Sequence, residues 1–145
     1  MSLVQWAENG WIKPEPSSAQ EIGNLFSIVD RDLQDAGGAI SADGRLGIAY
    51  NAGLKLAMIL LRAEGYKPDR QSQHYRTIHA IPLILGEEFK EGSEYLDACR
   101  IKRNTVEYTI AGAATYSDVE ELIDFVVKLR DVVRDWVKRR HPELC

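Results

Sequence analysis

The spacing of apolar residues is the feature that most limits what this chain can fold into. Between Val119 and Val137, apolar residues recur three and four positions apart for about five turns of a helix. A second stripe with the same spacing runs from Ile22 to Leu33. No segment alternates apolar and polar residues with the period of two that a half-buried strand requires. The sequence therefore predicts an all-α fold.

Start and stop signals predict about five helices. The candidate N-caps are Ser18 with Glu21 as a capping box, Ser41, Ser72, Ser93, and Ser117 with Glu120 as a second box. Glycines at 37–38, Gly65 and Gly112 are the expected helix ends, because glycine is favoured just after a helix. Pro82 is expected to kink or break the third helix.

The second helix should lie at the centre of the fold. Its sequence, "LGIAYNAGLKLAMILLRAEG", is apolar on more than one face. Because the connections are short, five such helices indicate an antiparallel up-and-down bundle. At 145 residues the chain is predicted to form one domain, 1–145, with 1–17 as an N-terminal lead. Trp6 and Trp11 of that lead are expected to pack on the bundle.

Composition indicates a cytoplasmic protein. The net charge of −4 argues against binding nucleic acid with the whole surface, but it allows a local basic patch. Cys99 and Cys145 do not make a disulfide framework and are expected to be reduced. The first ten residues lack a secretory pattern, and the longest apolar run, "LAMILL", is too short for a bilayer, so we expect no membrane association.

Several common sites are missing from the sequence. There is no phosphate loop and no dinucleotide-binding glycine motif. Gly92–Ser93 lacks the paired carboxylates that a nucleotidyltransferase needs to hold magnesium. His74 and His79 lie five positions apart, about 140° around a helix, and so cannot converge on one metal ion. We therefore predict no metal and no cofactor.

The stretch "RIKRNTVEY" at 100–108 is the candidate functional site. Its candidate ligand-binding residues are Arg100, Lys102, Arg103, Asn104 and Tyr108. Guanidinium groups bind phosphate with two hydrogen bonds, and an amide can hold the edge of a base or a ribose. A purely structural interpretation is also open, in which Arg103 pairs with Glu107 on the surface and Tyr108 packs in the core.

Three stretches resemble the HEPN family (higher eukaryotes and prokaryotes nucleotide-binding), in its compact prokaryotic form. They are "DGRLGIAYNAGLKLAMILLRAEGY", "SQHYRTIHAIPLILG" and "YLDACRIKRNTVEY", and the resemblance covers residues 18–136. It implies a helical bundle that forms a homodimer, with the Arg–Asn helices of two copies facing one cleft. It also implies a nucleotidyltransferase partner in a toxin–antitoxin pair. The toxin form is a metal-independent ribonuclease with an R-x4-6-H motif.

The resemblance places Arg103 at the motif arginine, Asn104 at the asparagine that follows it, and Tyr108 where the histidine should be. Only ~0.1% of an ordinary tyrosine is phenolate at pH 7, so Tyr108 is a poor general base. We therefore expect binding rather than cleavage. Asp43 and Tyr50 belong to the same resemblance and are candidates to line the cleft, although Asp43 also suits a helix cap.

Arg45 also belongs to the resemblance and is a candidate to line the cleft.

Three functions stay open. The first is a non-catalytic or weakly catalytic dimer that binds RNA or a nucleotide within a toxin–antitoxin or stress-response pair. The second is an active metal-independent ribonuclease that uses Arg103, with Tyr108 or a residue from elsewhere in the histidine role. The third is a non-enzymatic scaffold that docks a nucleotidyltransferase partner.

Overall fold

The computed structural model describes residues 1–145 as four long helices, three short ones and a two-stranded ribbon. The elements are α1 (Leu3–Glu8), β1 (Ile12–Pro14), α2 (Ala19–Ala36), α3 (Ala42–Ala63), β2 (Tyr66–Pro68), α4 (Gln73–His79), α5 (Ile81–Leu85), α6 (Lys90–Tyr108) and α7 (Tyr116–Arg140), with 3-10 turns at Glu87–Phe89 and Pro142–Leu144. The predicted all-α fold is confirmed. The expected third helix is divided at Ala80, one residue before the turn that contains Pro82.

Helix α3 lies at the centre of the bundle, as its sequence predicted, and packs against α2, α4, α6 and α7. Beyond Leu46, the residues of α3 that are not buried are Gly47, Ile48, Asn51, Lys55 and Met58. These positions recur every three or four residues and so form one stripe along the helix. Although α3 is long and apolar enough for a membrane span, 72% of its apolar 18-residue stretch is buried inside the fold. It is the core helix of this bundle.

Two predicted helix starts are wrong. Helix α6 begins at Lys90, so Ser93 lies in its first turns, where the buried hydroxyl donates to the carbonyl of Ile78 at 2.8 Å. The capping box of α7 is formed by Thr115 and Asp118, two residues before the predicted Ser117 box. At α7 a second polar residue, Thr115, lies at the true boundary and takes the capping role, whereas α6 has Phe89 at its N-cap position and no side-chain cap.

The other boundaries are closer to prediction. Ser41 caps α3 through the amide of Gly44, and α6 ends at Tyr108 instead of near Gly112. The Ser18 hydroxyl accepts from the Glu21 amide, so half of the expected capping box forms. The other half is missing because the Glu21 carboxylate binds Arg62 instead. Ser72 adopts a left-handed conformation, with a φ of 55°, and makes no side-chain cap.

The N-terminal lead packs on the bundle. Trp6 and Ile12 are buried against Leu61 of α3, and β1 pairs with β2 in an antiparallel ribbon. The sequence pattern did not predict this ribbon, because three-residue strands are too short to show a period of two. The guanidinium of Arg76 on α4 lies 3.9 Å from the ring centroid of Trp11. The expected packing of both tryptophans on the bundle is therefore confirmed.

Arg62, near the end of α3, joins the ribbon and α2 to the bundle. Its side chain is 9% exposed and uses its guanidinium N–H groups completely. Two donate to the Glu21 carboxylate at 3.0 Å, and the others donate to the carbonyls of Glu15, Pro16 and Tyr66 at 2.9–3.0 Å. Three chain segments thus meet at one side chain.

Candidate functional site

The basic residues of α6 point in different directions because successive residues are about 100° apart around a helix. Arg100 donates through Nε to Asp97 at 2.7 Å on its own helix. Lys102 instead reaches α7, where Nζ donates to Asp118 at 2.6 Å. Arg103 pairs with Glu107, one turn along α6, at 3.0 Å. The three predicted binding cations therefore do not form one surface.

Lys102 is part of the structure that starts α7. Asp118 accepts both from Lys102 and from the amide of Thr115. These bonds, of which the Lys102 contact is the strongest, lower the pKa of Asp118 to about 2. Lys102 thereby holds α6 against the first turn of α7, and its charge is already paired there.

The polar residues at the end of α6 face solvent. The side chain of Asn104 is exposed and makes no hydrogen bond within the chain. Tyr108 is 76% exposed, so the interpretation that placed it in the core is wrong. Arg103 and Tyr108 lie about 140° apart around the helix, which does not favour a shared site. Of the five predicted ligand-binding residues, Arg100 and Arg103 are the two whose charges act on both Tyr50 and His74.

Tyr50 of α3 and His74 of α4 lie against each other, and the charges of Arg100 and Arg103 on α6 act on both side chains. The Tyr50 ring is fully buried, and its hydroxyl lies 3.3 Å from Nδ1 of His74 at the surface. Burial of a hydroxyl requires a partner, and His74 supplies it. We call Tyr50, His74, Arg100 and Arg103 the arginine–histidine site. Three helices contribute to it.

Burial and nearby cations shift the pKa values of both titratable side chains in the site. Burial lowers the pKa of His74, and the charges of Arg103, Lys55 and Arg100 lower it further. Burial raises the pKa of Tyr50 to about 12, although Arg100 and Arg103 act in the opposite direction. Both side chains are therefore neutral at pH 7. Cations that disfavour a proton on His74 favour an anion at the same place.

The lowered pKa of His74 predicts how stability depends on pH. The unfolded chain binds a proton near pH 6.5, before the folded chain does, so protonation favours unfolding. The stabilisation is complete above pH 6.5 and is lost as the pH falls toward the folded-state pKa. We expect His74→Gln to reduce the loss of melting temperature between pH 7 and pH 5. An NMR titration of the His74 imidazole should give a midpoint below that of a free histidine, and a midpoint above 6.5 would contradict this.

His79 has a different environment from His74. Its ring lies against Tyr75 with centroids 4.3 Å apart, and Nε2 is 3.5 Å from the Asp97 carboxylate that also binds Arg100. Asp97 thus orients Arg100 from one side while it faces His79 on the other. The two histidines have separate partners, in agreement with their spacing. No group of three or more His, Cys, Asp or Glu residues lies together in a form that could hold a metal ion.

Asp43 and Arg45 have structural partners. The Asp43 carboxylate accepts from the amides of Gly112 and Ala114 at 2.6 and 3.1 Å, which ties the α6–α7 connection to α3. Asp43 also lines a cavity of about 300 Å³ together with Arg103. The buried Arg45 donates to the carbonyl of Ala36 at 2.6 Å and to Glu120 at 2.8 Å. Of the three residues that the resemblance suggested near the cleft, Tyr50 is in the site and Arg45 is not.

Sequence reasoning missed His74 because it searched for a histidine along α6. A bundle brings residues of different helices together, and α4 packs directly on α6. The available signal was that His74 lies in "SQHYRTIHAIPLILG", one of the three stretches that carry the family resemblance.

Known proteins offer no guide to this site. No family model matches the chain, and neither curated proteins nor solved structures give a match. The HEPN resemblance therefore stays a prediction from the sequence.

Proposed function

We propose that this protein binds RNA or a nucleotide through a phosphate group at the arginine–histidine site. The observation that carries the proposal is the contact between His74 and the buried Tyr50, on which the charges of both Arg100 and Arg103 act. Burial lowers the pKa of His74, and the charges of Arg103 and Arg100 lower it further, so the same two charges favour an anion beside it. The HEPN resemblance, which implies nucleotide binding at the Arg–Asn helix, points to the same helix.

The ion pairs on α6 leave guanidinium donors free for a phosphate. Arg100 uses only its Nε for Asp97, and Arg103 uses only one terminal nitrogen for Glu107. A guanidinium has five N–H donors, so each arginine keeps an edge with two of them. Carboxylates that hold one edge of an arginine fix the direction of the other. The pairs therefore preorganise the site as well as neutralising part of its charge.

His74 supplies a further donor in one of its two tautomers. When the Tyr50 hydroxyl donates to Nδ1, the imidazole proton lies on Nε2. That Nε2–H group is then available to a phosphate oxygen. The raised pKa of Tyr50 keeps its own proton in place over the physiological range. Tyr50 thus acts as a positioning residue for His74.

Metal-independent cleavage of RNA is the second candidate function. The observation that favours it is a neutral imidazole beside Arg103, because a histidine with a lowered pKa is free to accept a proton at pH 7. His74 would then take the 2′-hydroxyl proton as the 2′-oxygen attacks the adjacent phosphate, and the arginines would stabilise the negative charge. The bond from phosphorus to the 5′-oxygen breaks, the 5′-oxygen takes a proton from the resulting imidazolium or from water, and a 2′,3′-cyclic phosphate remains. In this alternative His74 replaces Tyr108 in the role that the resemblance assigns to histidine.

We also propose that the protein acts as a HEPN-like homodimer with a nucleotidyltransferase partner in a toxin–antitoxin or stress-response pair. The exposed side chains of Ile101, Tyr108 and Ile110 support an interface at the end of α6, since large apolar groups there are 53–76% exposed. Sedimentation velocity would distinguish one copy from two. If the binding test in the next paragraph shows no specific RNA binding, the protein is better described as a non-enzymatic scaffold that docks its partner.

Replacing Arg103 tests the proposed function. We expect Arg103→Ala to weaken binding of a fluorescein-labelled octauridylate about tenfold in metal-free buffer, since it removes a charge-assisted phosphate contact. Arg139→Ala is the matched control, because Arg139 also makes an i,i+4 ion pair, with Asp135 at 2.8 Å, on the exposed face of α7. Fluorescence anisotropy measures both. Equal affinities for the two variants would contradict the proposal and favour the scaffold.

The same proteins separate binding from cleavage on a gel. RNA that stays intact with the wild type supports binding alone. RNA that is cut by the wild type, but not by Arg103→Ala or His74→Gln, supports the ribonuclease alternative. Cutting by all three would indicate a contaminating nuclease.

A further inference from the structure

A second basic surface lies next to the arginine–histidine site. It is a cavity of about 540 Å³ between the stripe of α3, the first turns of α4 and the ribbon, and we call it the distal cavity. Its charged residues are Lys13, Glu15, Glu21, Lys55, Arg62, Lys67 and Arg70. Five are positive and two are negative, so the lining carries a net of three positive charges.

Both carboxylates of the distal cavity are already paired. Glu15 binds Lys67 at 2.6 Å, and Glu21 binds Arg62 through two bonds of 3.0 Å. By contrast, Lys13, Lys55 and Arg70 make no ion pair within the chain. This distribution is the reverse of α6, where Arg100, Lys102 and Arg103 each have a carboxylate partner. The uncompensated charge of this face therefore lies in the distal cavity.

The distal cavity and the arginine–histidine site form one continuous surface. Arg70, Gln73 and His74 line the distal cavity, and the same three residues line a shallow depression that also contains Tyr75 and Arg100. His74 therefore stands at the boundary between the two. A chain of phosphates that leaves Arg100 passes Arg70 before it reaches the lysines of the ribbon.

The length of this surface fits several nucleotides. Tyr50 at the arginine–histidine site and Arg62 at the far end of the cavity are twelve residues apart on α3, about 18 Å along the helix axis. At about 3.4 Å per stacked nucleotide, that distance corresponds to about five nucleotides of a single strand. A mononucleotide could not contact both ends at once.

We propose that the distal cavity is a second phosphate-binding subsite, which receives the backbone of a single-stranded RNA that extends from the arginine–histidine site. This inference rests on the proposed function, and it adds that the ligand is an RNA strand of several nucleotides. Lys13, Lys55 and Arg70 contact successive phosphates. Because these contacts are with the backbone, the subsite adds affinity without adding sequence preference.

A length series of labelled oligouridylates, with 2 and 8 nucleotides, tests the proposal. The Lys13→Ala/Arg70→Ala variant should bind the eight-nucleotide strand about tenfold more weakly than the wild type does. Its affinity for the dinucleotide should change less than about twofold. The slope of log binding constant against log salt concentration should become shallower by about 1.4, since each of the two lost phosphate contacts accounts for about 0.7 on a single strand. Arg103→Ala should weaken both lengths.

Lys128→Ala/Lys138→Ala is the matched control, because both lysines lie on α7, are exposed and line neither of these surfaces. It should bind like the wild type. If Arg103→Ala weakens binding while Lys13→Ala/Arg70→Ala binds the octamer normally, the second subsite is wrong and the proposed function stands. If neither variant has an effect, both are wrong. Stoichiometric binding of UTP that depends on Lys13 and Arg70 would instead assign the cavity to a separate nucleotide.

Discussion

Arg62→Ala should lower the free energy of unfolding by about 3 kcal/mol, because it removes a buried side chain on which several partners depend. The carbonyls of Glu15, Pro16 and Tyr66 would each lose a donor, and the Glu21 carboxylate would lose both of its bonds. Water can reach Glu21, which is 40% exposed, so most of the cost arises at the carbonyls. For a chain of this size the loss corresponds to a melting temperature about 10 °C lower.

Two further variants make the Arg62 result specific. Arg62→Lys keeps the charge but loses the planar set of five donors, so it should recover only part of the stability. Arg139→Ala removes an exposed arginine that is 64% accessible and should change stability by less than about 0.5 kcal/mol. Urea unfolding monitored by circular dichroism measures all three. An Arg62→Ala midpoint equal to that of Arg139→Ala would show that the ribbon is not held by this side chain.

Gly53→Val should destabilise the bundle by a similar amount, about 3 kcal/mol, through overpacking. A Cβ atom at Gly53 would lie 2.9 Å from Cδ1 of Leu96 on α6 and 3.3 Å from Cγ2 of Val126 on α7. At Gly53, α3 therefore packs closely against both α6 and α7. A branched side chain at this position must displace the side chains of Leu96 and Val126, and Leu96 lies on the helix that carries Arg100 and Arg103.

Glycine at another helical position provides the control. A Cβ atom at Gly23 in α2 would have no neighbouring atom within 4 Å, so Gly23→Ala should raise stability by about 0.5–1 kcal/mol through helix propensity. Gly53→Ala should lower stability, but by less than Gly53→Val, because the end of the Leu96 side chain can move. If Gly53→Ala stabilised the protein as Gly23→Ala does, the close packing of the three helices at this point would be contradicted.

Local patterns in the sequence were enough for the fold class and for the central helix. The apolar stripe of α7 and the all-round apolar character of α3 both follow from burial, which acts on every turn of a helix. Shorter features were missed because they depend on partners distant in sequence. The Ile12–Pro14 strand exists only because it pairs with Tyr66–Pro68, and Glu21 leaves its capping box because Arg62 offers a better partner.

The candidate site was harder to predict than the fold. The stretch at 100–108 has a high density of functional residue types, but the 100° step of the helix sends Lys102 to α7 and leaves Asn104 and Tyr108 in solvent. Arg100 and Arg103 remain together because three positions separate them. His74 joins them only through the packing of α4 on α6, which no spacing within one helix reveals.

The most direct test of the proposed function is an NMR titration of ¹⁵N-labelled protein with octauridylate, with imidazole and arginine Nε signals recorded. We predict the largest shifts at His74, Arg100 and Arg103, together with a change in the His74 titration midpoint as the phosphate offsets the charges of the two arginines. Shifts confined to Arg139 and Arg140 at the end of α7, or no shifts at all, would contradict phosphate binding at the arginine–histidine site.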